Sequence, residues 1–376
     1  MNADKLRTLI IGGGFSGMSA AIQLRKIGAT VDLVEIDPGW RSYGAGITLG
    51  AATLRAFVEL GMLDEFLKHG NVAEGGEFFT ASGHKIADMS VPRLARPDVP
   101  PVGAIMRPML AEILAKATRA SGTHVKLGAS FTDIADGPDG AKVTLTDGSS
   151  STYDLVVGAD GLNSKLRKLL FPDAPAPRYT GQCVWRAVLS RPPEVQALQM
   201  WIGDKVKVGI NPVSKTEMYM FVTEDRPVFA PVDPKEFAPR MKALLAQFSS
   251  PLVKEIAASL GPDSRIVFRP MEGLLLPRPW SKGHYVLIGD AVHATTPHLG
   301  AGACIGIEDA IVLAQEIGRR DDLASALTAF EDRRFERCRM VVENSLRLGE
   351  IEVTNGDHGE HAGIMRNSAL ALAEPI

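Results

Sequence analysis

The sequence LRTLIIGGGFSGMSAAIQL, residues 6–24, decides the fold of this 376-residue chain. The apolar run that ends at Ile11 predicts a buried parallel strand, and the apolar spacing over residues 15–27 predicts a helix that Gly28 ends. Between them, Gly12, Gly14 and Gly17 fit the pattern G-x-G-x-x-G. Glycines so placed let a backbone turn tightly and approach a pyrophosphate, which binds to amide N–H groups at a helix N-terminus.

A second strand over residues 31–35 follows this helix and ends in an acidic residue. Glu35 is in place to accept hydrogen bonds from a ribose. A strand, a glycine turn, a helix and a second strand with this acidic end predict a dinucleotide site. The alternative is a purely structural glycine turn in an α/β protein, and the pattern does not separate FAD from NAD.

Composition excludes several classes of protein. The hydrophobic fraction is 45%, the charged fraction is 23%, and the net charge of −3 comes from mixed signs, which is typical of a globular protein and not of a nucleic-acid binder. Three cysteines, Cys183, Cys304 and Cys338, lie far apart, so we expect no disulfide framework, no metal site and a cytoplasmic location. Residues 1–5 lack the features of a signal peptide, and no apolar run is long enough to span a bilayer.

Two further motifs combine a buried strand with an acidic end. They are DLVVGADG, residues 154–161, and GDAVHATTPHLGAGAC, residues 289–304. Each motif alone is equally typical of an ordinary strand end. In the later motif, Gly300 and Gly302 precede a predicted helix, where backbone N–H groups could meet an anion or an electron-rich ring edge.

The three motifs, in this order, resemble those of the FAD-dependent aromatic hydroxylases of the p-hydroxybenzoate hydroxylase type. The resemblance covers residues 6–350 and includes Arg107, Leu110, Leu114 and the segment GAGITL at residues 44–49. It is strongest to the short salicylate, 6-hydroxynicotinate and urate hydroxylases. It implies an α/β fold, with a Rossmann-like FAD-binding domain built on a parallel sheet, a β-sheet substrate domain and a long C-terminal helix. We assign residues 1–70, 101–180 and 265–350 to the FAD domain, 71–100 and 181–264 to the substrate domain, and 351–376 to a polar, turn-like tail.

The resemblance also implies which residues contact FAD. They are Gly12, Gly14, Phe15, Ser16, Gly17, Glu35, Ile36, Thr48, Arg107, the backbone at Phe131, Asp160, Asp290, Gly300, Ala301, Gly302, Ala303 and Cys304. Many relatives have Gln where Ala301 stands, but backbone contacts need no side chain.

A line of charged residues over 331–339 is interpreted as a solvated helix face.

The activity implied is hydroxylation of a small, electron-rich aromatic or heteroaromatic substrate. NADH or NADPH would reduce FAD, and O₂ would react through a flavin C4a-hydroperoxide. His298 and Tyr219 are the catalytic candidates, and Lys207, Tyr219, Trp185 and His298 are the substrate-binding candidates. Each has a structural alternative: a packed histidine, a core aromatic residue, or a lysine in solvent. Arg186 and Trp201 are further candidates for the pocket lining.

Other functions remain open at this stage. The same fold could serve an FAD-dependent dehydrogenase or reductase without oxygenation, or a flavin-binding protein without catalysis. We expect no nucleic-acid or membrane partner, and either a monomer or a homodimer.

Overall fold

The computed structural model describes residues 6–42 and 44–376. Its strands, numbered in chain order, are β1 (Arg7–Ile11), β2 (Thr30–Glu35), β3 (Gly46–Leu49), β4 (Asn71–Ala73), β5 (Gly75–Thr80), β6 (Lys85–Ser90), β7 (Val102–Met106), β8 (His124–Leu127), β9 (Phe131–Gly137), β10 (Gly140–Leu145), β11 (Ser150–Tyr153), β12 (Leu155–Gly158), β13 (Arg178–Ser190), β14 (Leu198–Ile202), β15 (Lys207–Pro212), β16 (Glu217–Asp225), β17 (Ile266–Gly273), β18 (Ser281–Lys282) and β19 (Tyr285–Leu287).

The helices cover much of the remaining chain. They are α1 (Phe15–Lys26), α2 (Ala51–Leu60), α3 (Leu63–His69), α4 (Arg107–Ala120), α5 (Lys165–Leu170), α6 (Phe237–Leu245), α7 (Pro251–Ser259), α8 (Asp290–His293), α9 (Gly302–Arg319), α10 (Leu323–Thr354) and α11 (His358–Ala373). Two short 3-10 helices lie at Pro234–Glu236 and Pro297–Leu299. In the described ranges, none of these helices has both the length and the apolar character needed to cross a membrane.

The sheet that carries the glycine turn has the strand order β18-β19-β12-β1-β2-β8. Its central strand β1 pairs in parallel with both β12 and β2. Leu9 and Ile10 of β1 are fully buried, as expected for a parallel strand with layers on both faces. Helices α1, α4 and α9 pack together next to it. The predicted order of strand, turn, helix and strand is therefore confirmed, as is the α/β fold class.

A second, seven-stranded sheet has the order β17-β13-β16-β15-β14-β5-β6. Aromatic and aliphatic side chains on one of its faces pack against α6 and α7. The other face meets the small sheet β3-β7-β4 through an apolar cluster that includes Ala45, Ala104 and Tyr219. The predicted domain boundary at residue 265 is wrong for this sheet, because β17 is its edge strand. The sequence of residues 266–273 alone does not reveal that β17 pairs with the distant β13.

The C-terminal segment is helical, which corrects the prediction of a turn-like tail after residue 350. Helix α10 continues to Thr354, and Asn355 ends it in a left-handed conformation. The side chain of Asp357 then accepts hydrogen bonds from the amides of Gly359 and Glu360, so a new helix, α11, starts here. The polar residues that suggested a tail form the turn between two packed helices.

Candidate active site

Of the three glycines in the G-x-G-x-x-G pattern, the packing of the chain requires Gly12 and Gly17 but not Gly14. Gly12 has a φ of +107°, and a Cβ there would lie 2.3 Å from the carbonyl oxygen of Ala159. A Cβ on Gly17 would lie 2.0 Å from the carbonyl oxygen of Gly12. Gly14 has an ordinary φ of −73°, and a Cβ there would meet no atom within 4 Å. The open space beside Gly14, at the N-terminus of α1, fits a pyrophosphate.

Phe15 and Ser16 connect this turn to the other two motifs. The guanidinium carbon of Arg107 lies 5.0 Å from the centre of the Phe15 ring. The Ser16 Oγ lies 2.3 Å from the places where Cβ atoms of Gly289 and Gly306 would stand. Those two glycines therefore let the start of α1 approach the late motif closely.

The end of β2 combines a carboxylate with an exposed apolar side chain. Glu35 Oε2 accepts a hydrogen bond of 2.7 Å from the amide of Gly13, and Oε1 accepts one of 2.8 Å from Asp37. Ile36 is 73% exposed, which leaves an apolar surface beside the carboxylate. Trp40 also donates to the Gly13 carbonyl oxygen at 2.8 Å, a contact that sequence patterns gave no reason to expect. A ribose and an adenine ring would find matching polar and apolar groups here.

Arg107 and Asp290 bring opposite charges near each other between the motifs, and we call the space that they and Gly14 border the recess. Burial lowers the pKa of the Arg107 guanidinium, and the charge of Asp290 opposes that shift. Burial raises the pKa of the Asp290 carboxyl, while His293 and Arg107 oppose it. Yet Asp290 keeps an exposed surface. Asp290 is therefore enclosed by protein on one side and open to solvent on the other. Such a carboxylate can accept hydrogen bonds from the hydroxyl groups of a ligand that enters the recess.

Asp160, in the central motif, already accepts hydrogen bonds from residues that follow it in the chain. Its carboxylate accepts hydrogen bonds from the Ser164 hydroxyl at 2.5 Å and from the Leu166 amide at 3.1 Å. The buried Arg167 then donates to the carbonyl oxygen of Ala291 at 2.8 Å, which joins the central motif to the late one. Phe131, on β9, has a buried side chain, and its carbonyl oxygen accepts from Lys165 at 3.0 Å. Contacts of Asp160 and Phe131 with FAD stay predictions.

A buried network of ion pairs and hydrogen bonds supports the late motif. Asp309 accepts hydrogen bonds from the Gly289 amide at 2.9 Å and from His293 Nε2 at 2.5 Å. Arg334 donates to Asp309 at 2.8 Å and to Glu308 at 2.9 Å. Arg334 is fully buried, so the interpretation of residues 331–339 as a solvated face is wrong at this position. The inward spacing of Phe330, Arg334 and Cys338 on α10 was the signal that could have revealed it.

Residues 300–304 can contact a ligand with their backbone amides rather than with their side chains. Gly300 has a φ of +61° and ends the 3-10 helix Pro297–Leu299. Gly302 then begins α9, whose first turn carries no acidic residue. Ala301 and Cys304 are buried, so their side chains cannot reach a ligand in the recess. Their amides at the helix N-terminus can still face an electron-rich ring edge, as the predicted role requires.

The face of the seven-stranded sheet that meets the FAD motifs carries Tyr219 and Arg186. The Tyr219 hydroxyl shares a short hydrogen bond with Thr48 Oγ1, to which Asn211 also donates at 3.0 Å. Burial raises the pKa of Tyr219. Burial also lowers the pKa of Arg186, which Tyr219 opposes, and the nearby cation Arg107 lowers it further.

Trp185 and Trp201 lie on the opposite face of this sheet, because side chains alternate along a strand. Both belong to the apolar cluster under α6 and α7. Trp185 is fully buried and packs its ring 4.2 Å from that of Phe268. The prediction that Trp185 contacts substrate is therefore wrong. The sequence placed it beside Arg186 but could not show which of the two faces the recess.

His298 lies in the 3-10 helix Pro297–Leu299, with only 3% of its side chain exposed. Its Nδ1 shares a 2.8 Å hydrogen bond with the Thr296 hydroxyl. Burial lowers the pKa of the imidazole, while a hydrogen bond with Glu352 opposes that shift. Lys207 does not extend into solvent, because its Nζ lies 2.5 Å from Glu352 Oε1. The structure thus brings His298 and Lys207 together through a residue of α10 that the sequence did not single out.

A parallel sheet with a ligand-accepting glycine turn, joined to a second sheet over a charged recess, defines a dinucleotide-binding oxidoreductase of two-sheet architecture. The family model described as FAD binding domain matches residues 5–345, and the chain belongs to that family. Its cofactor is FAD, and the predicted class of FAD-dependent monooxygenase is confirmed.

Relatives match along nearly the whole chain. The aurachin C monooxygenase/isomerase of Stigmatella aurantiaca is 32% identical over 349 residues, which cover 92% of this chain and 89% of the relative. The 2-heptyl-3-hydroxy-4(1H)-quinolone synthase of Pseudomonas aeruginosa is 31% identical over 350 residues, with 92% and 89% covered. The crystal structure of Klebsiella pneumoniae HpxO with FAD and uric acid matches with a TM-score of 0.81 at 26% identity, covering 98% of this chain and 93% of that one.

Proposed function

We propose that this chain uses NAD(P)H and O₂ to hydroxylate a small, anionic, electron-rich aromatic or heteroaromatic compound. The observation that carries the choice of substrate is the Arg186 guanidinium. Among the described residues it has neither a carboxylate partner nor a hydrogen bond, and the residue is only half-buried. An unpaired guanidinium next to the cofactor recess suits an ionised substrate, because its planar fork binds carboxylates and ring oxyanions.

The residues around the recess fit FAD. Open space at Gly14 accommodates the pyrophosphate, the end of β2 accommodates the adenosine, and Arg107 and Asp290 hold polar groups of the remaining cofactor. When bound, FAD accepts electrons from NAD(P)H and activates O₂. The protein then has to bind and orient the substrate, exclude water and remove a proton from the ring that is hydroxylated.

Tyr219 and His298 have different parts in this scheme. Tyr219 is fixed by Thr48 and Asn211, so it contributes a rigid wall and an oriented hydroxyl at the substrate. His298 is too enclosed to pack against a ring, but its lowered pKa keeps the imidazole neutral and able to accept a proton through hydrogen bonds. His298→Ala should therefore still oxidise NAD(P)H while it releases more hydrogen peroxide per product. A lower melting temperature with unchanged coupling would instead mean that the imidazole only packs.

The test of the proposed function is NAD(P)H oxidation with and without candidate aromatics, with product and hydrogen peroxide both quantified. Arg186→Met should raise KM for ionised substrates by about 10- to 150-fold, the effect of losing a charge-assisted hydrogen bond worth about 1.5–3 kcal/mol. Arg265→Met is the matched control, since Arg265 immediately precedes β17 of the same sheet but is 65% exposed and pairs with Glu217. Oxidation of NAD(P)H without any hydroxylated product would favour a dehydrogenase or reductase, and equal effects of the two variants would exclude Arg186 from the substrate site.

A further inference from the structure

A chain of hydrogen-bonding side chains runs from the 3-10 helix Pro297–Leu299 to the protein surface. From Thr296 it continues through His298 to Glu352 of α10, whose Oε2 lies 3.4 Å from His298 Nε2. Glu352 Oε1 shares a 3.1 Å hydrogen bond with His361 Nε2 of α11. The exposed fraction of the side chain rises from 3% at His298 to 15% at Glu352 and 28% at His361. We call His298, Glu352 and His361 the C-terminal triad.

The helices are shaped so that the triad can form. A Cβ on Gly349 of α10 would lie 2.9 Å from His298 Cε1 and 3.2 Å from Nε2, so the missing side chain makes room for the imidazole. Arg347 holds the start of α11 with two hydrogen bonds to Glu360, at 2.7 and 2.8 Å. This brings His361 back over Glu352. A glycine on α10 and an ion pair between α10 and α11 therefore support one arrangement of side chains.

Polar groups from every neighbouring strand face the triad. Lys207 of β15 approaches Glu352 within 2.5 Å. On β13 and β16, Gln182 donates to Asp225 at 3.1 Å. Burial raises the pKa of Asp225, and its charged neighbours besides Glu352 are Lys205 and Asp204 of the β14–β15 hairpin.

Several buried polar atoms beside the C-terminal triad lack a hydrogen bond. His298 Nε2, Gln182 Oε1 and Asp225 Oδ2 are buried and make no hydrogen bond of good geometry, although Glu352 Oε2 lies 3.4 Å from His298 Nε2. The first two both lie within 3.2 Å of the position that a Gly349 Cβ would take. Buried polar atoms normally find partners in protein or water, so polar groups left open beside His298 suit a place where protons are exchanged.

The groups around Glu352 keep its carboxyl ionised. Burial alone would raise the pKa of Glu352, but hydrogen bonds from His298 and His361 and the charge of Lys207 lower it well below its usual range. Glu352 is therefore a carboxylate, and its Oε2, 3.4 Å from His298 Nε2, favours the tautomer with hydrogen on Nε2, which leaves Nδ1 to accept from the Thr296 hydroxyl.

We propose that Glu352 and His361 form, with His298, a proton path from the substrate site to solvent, in which Glu352 sets the tautomer of His298. The inference rests on the proposed function, because the proton is the one that the hydroxylated ring gives up. A proton that arrives at Nδ1 through the Thr296 hydroxyl forms an N–H bond, and the Nε2–H bond breaks toward Glu352. Glu352 passes this proton to Nε2 of His361 in the tautomer that carries its hydrogen on Nδ1, and the Nδ1–H bond breaks toward water, so no atom or electron is left over. Glu352 is a positioning residue here, since it acts through His298.

The test uses the FAD-loaded full chain with Glu352→Gln, His361→Gln and the control His358→Gln, an exposed histidine of the same helix. Histidine proton resonances followed over pH give the pKa of His298, which should fall in Glu352→Gln because the negative charge that stabilises the imidazolium is lost. His361→Gln should form product about 10²-fold more slowly, the lower end of the range for a positioned proton-transfer group. Its rate should also show a larger solvent deuterium isotope effect, and added imidazole should restore it.

The outcomes separate the proposed path from the proposed function. If His361→Gln matches His358→Gln in rate and isotope effect, or if it is slow and imidazole restores nothing, the path does not exist. An unchanged His298 pKa in Glu352→Gln would also overturn it, whatever the activity. A parent enzyme that hydroxylates no aromatic compound would instead refute the proposed function, and the titration would still decide whether Glu352 controls His298.

Discussion

Gly12, Gly14 and Gly17 share one motif but differ in what a side chain would meet. At Gly12 and Gly17 a Cβ would collide with backbone carbonyl oxygens of the protein itself. At Gly14 it would meet nothing, and the backbone there is extended, a conformation open to any residue. The glycine pattern therefore has two causes, chain packing at its ends and ligand approach in its middle.

This difference gives a prediction for Gly14→Val. Without FAD, the variant should unfold at nearly the parental temperature, because its side chain enters open space. Its affinity for FAD should be lost, since the side chain occupies the position of the pyrophosphate. Thermal melts and FAD titrations check both parts. Gly17→Ala is the contrasting variant, which should melt earlier even without FAD, and Gly14→Val that binds FAD normally would contradict the assignment.

Asp290→Ala should weaken FAD binding without lowering the stability of the FAD-free protein. The loss of a charge-assisted hydrogen bond should weaken FAD binding by about 1.5–3 kcal/mol. The protein without FAD should be no less stable, because burial raises the pKa of Asp290 and thus makes its ionised form unfavourable at neutral pH. Isothermal titration and melting curves measure the two quantities. An unchanged FAD dissociation constant would remove Asp290 from the site.

At the scale of elements, α9 and α10 are joined by buried charges. Glu308 and Asp309 of α9 are fully buried, and Arg334 of α10 bonds to both. Arg337 adds two hydrogen bonds to Glu308, each of 2.8 Å. The same α9 begins beside the flavin-facing backbone at Gly302, so this network fixes the helix that shapes the recess.

Arg334→Met should destabilise the fold by about 3–5 kcal/mol, because it leaves two carboxylates buried without their shared cation. Arg339→Met is the control on the same helix. Arg339 is 42% exposed and pairs with Glu336 and Glu343, and exposed pairs contribute little to stability because solvent screens them. Urea unfolding of the FAD-loaded proteins gives both free energies, and a similar loss in the two variants would contradict a special role for the buried network.

The network should also make stability depend on pH. Burial alone would raise the pKa of Asp309, but His293 and Arg334 hold it well below its unperturbed value of 3.8. Its stabilising contribution is therefore complete above that value and is lost as the pH falls below it toward the folded pKa. His293 behaves oppositely: its pKa is raised, so its contribution is present below 6.5 and is lost as the pH rises through the folded pKa. Asp309→Asn should be less stable than the parent at pH 6, and the gap should narrow below pH 4 in urea unfolding.

At the scale of the whole molecule, the two sheets and the C-terminal helices enclose one cofactor site. The chain should purify with FAD that acid precipitation releases, since the three cysteines are buried and none is offered to the recess for a covalent link. Added FAD should raise the melting temperature in proportion to the logarithm of its concentration, because ligand that binds only the folded state stabilises it by mass action. Flavin that stays attached to the precipitated protein, or a melting temperature indifferent to FAD, would contradict this expectation.

Local features of the sequence were sufficient for the core of the fold and for the cofactor. Apolar runs, helical spacing and glycines at fixed intervals act over a few residues, so the first strand, turn and helix and the position of Glu35 follow from the sequence alone. The three motifs in series were enough to indicate the family, because each is a contiguous segment.

Tertiary structure alone decided which side chains meet across long separations. Trp185 and Arg186 are neighbours in sequence, yet only strand pairing and the packing of α6 and α7 determine that Arg186 faces the recess. Arg334 stands among other charged residues in the sequence, but packing of α10 on α9 buries it against carboxylates 25 and 26 residues away. His298 meets Glu352 only because a glycine on a distant helix leaves room for its ring. Such contacts depend on the relative placement of whole elements, which the burial of many apolar side chains sets collectively and no local pattern encodes.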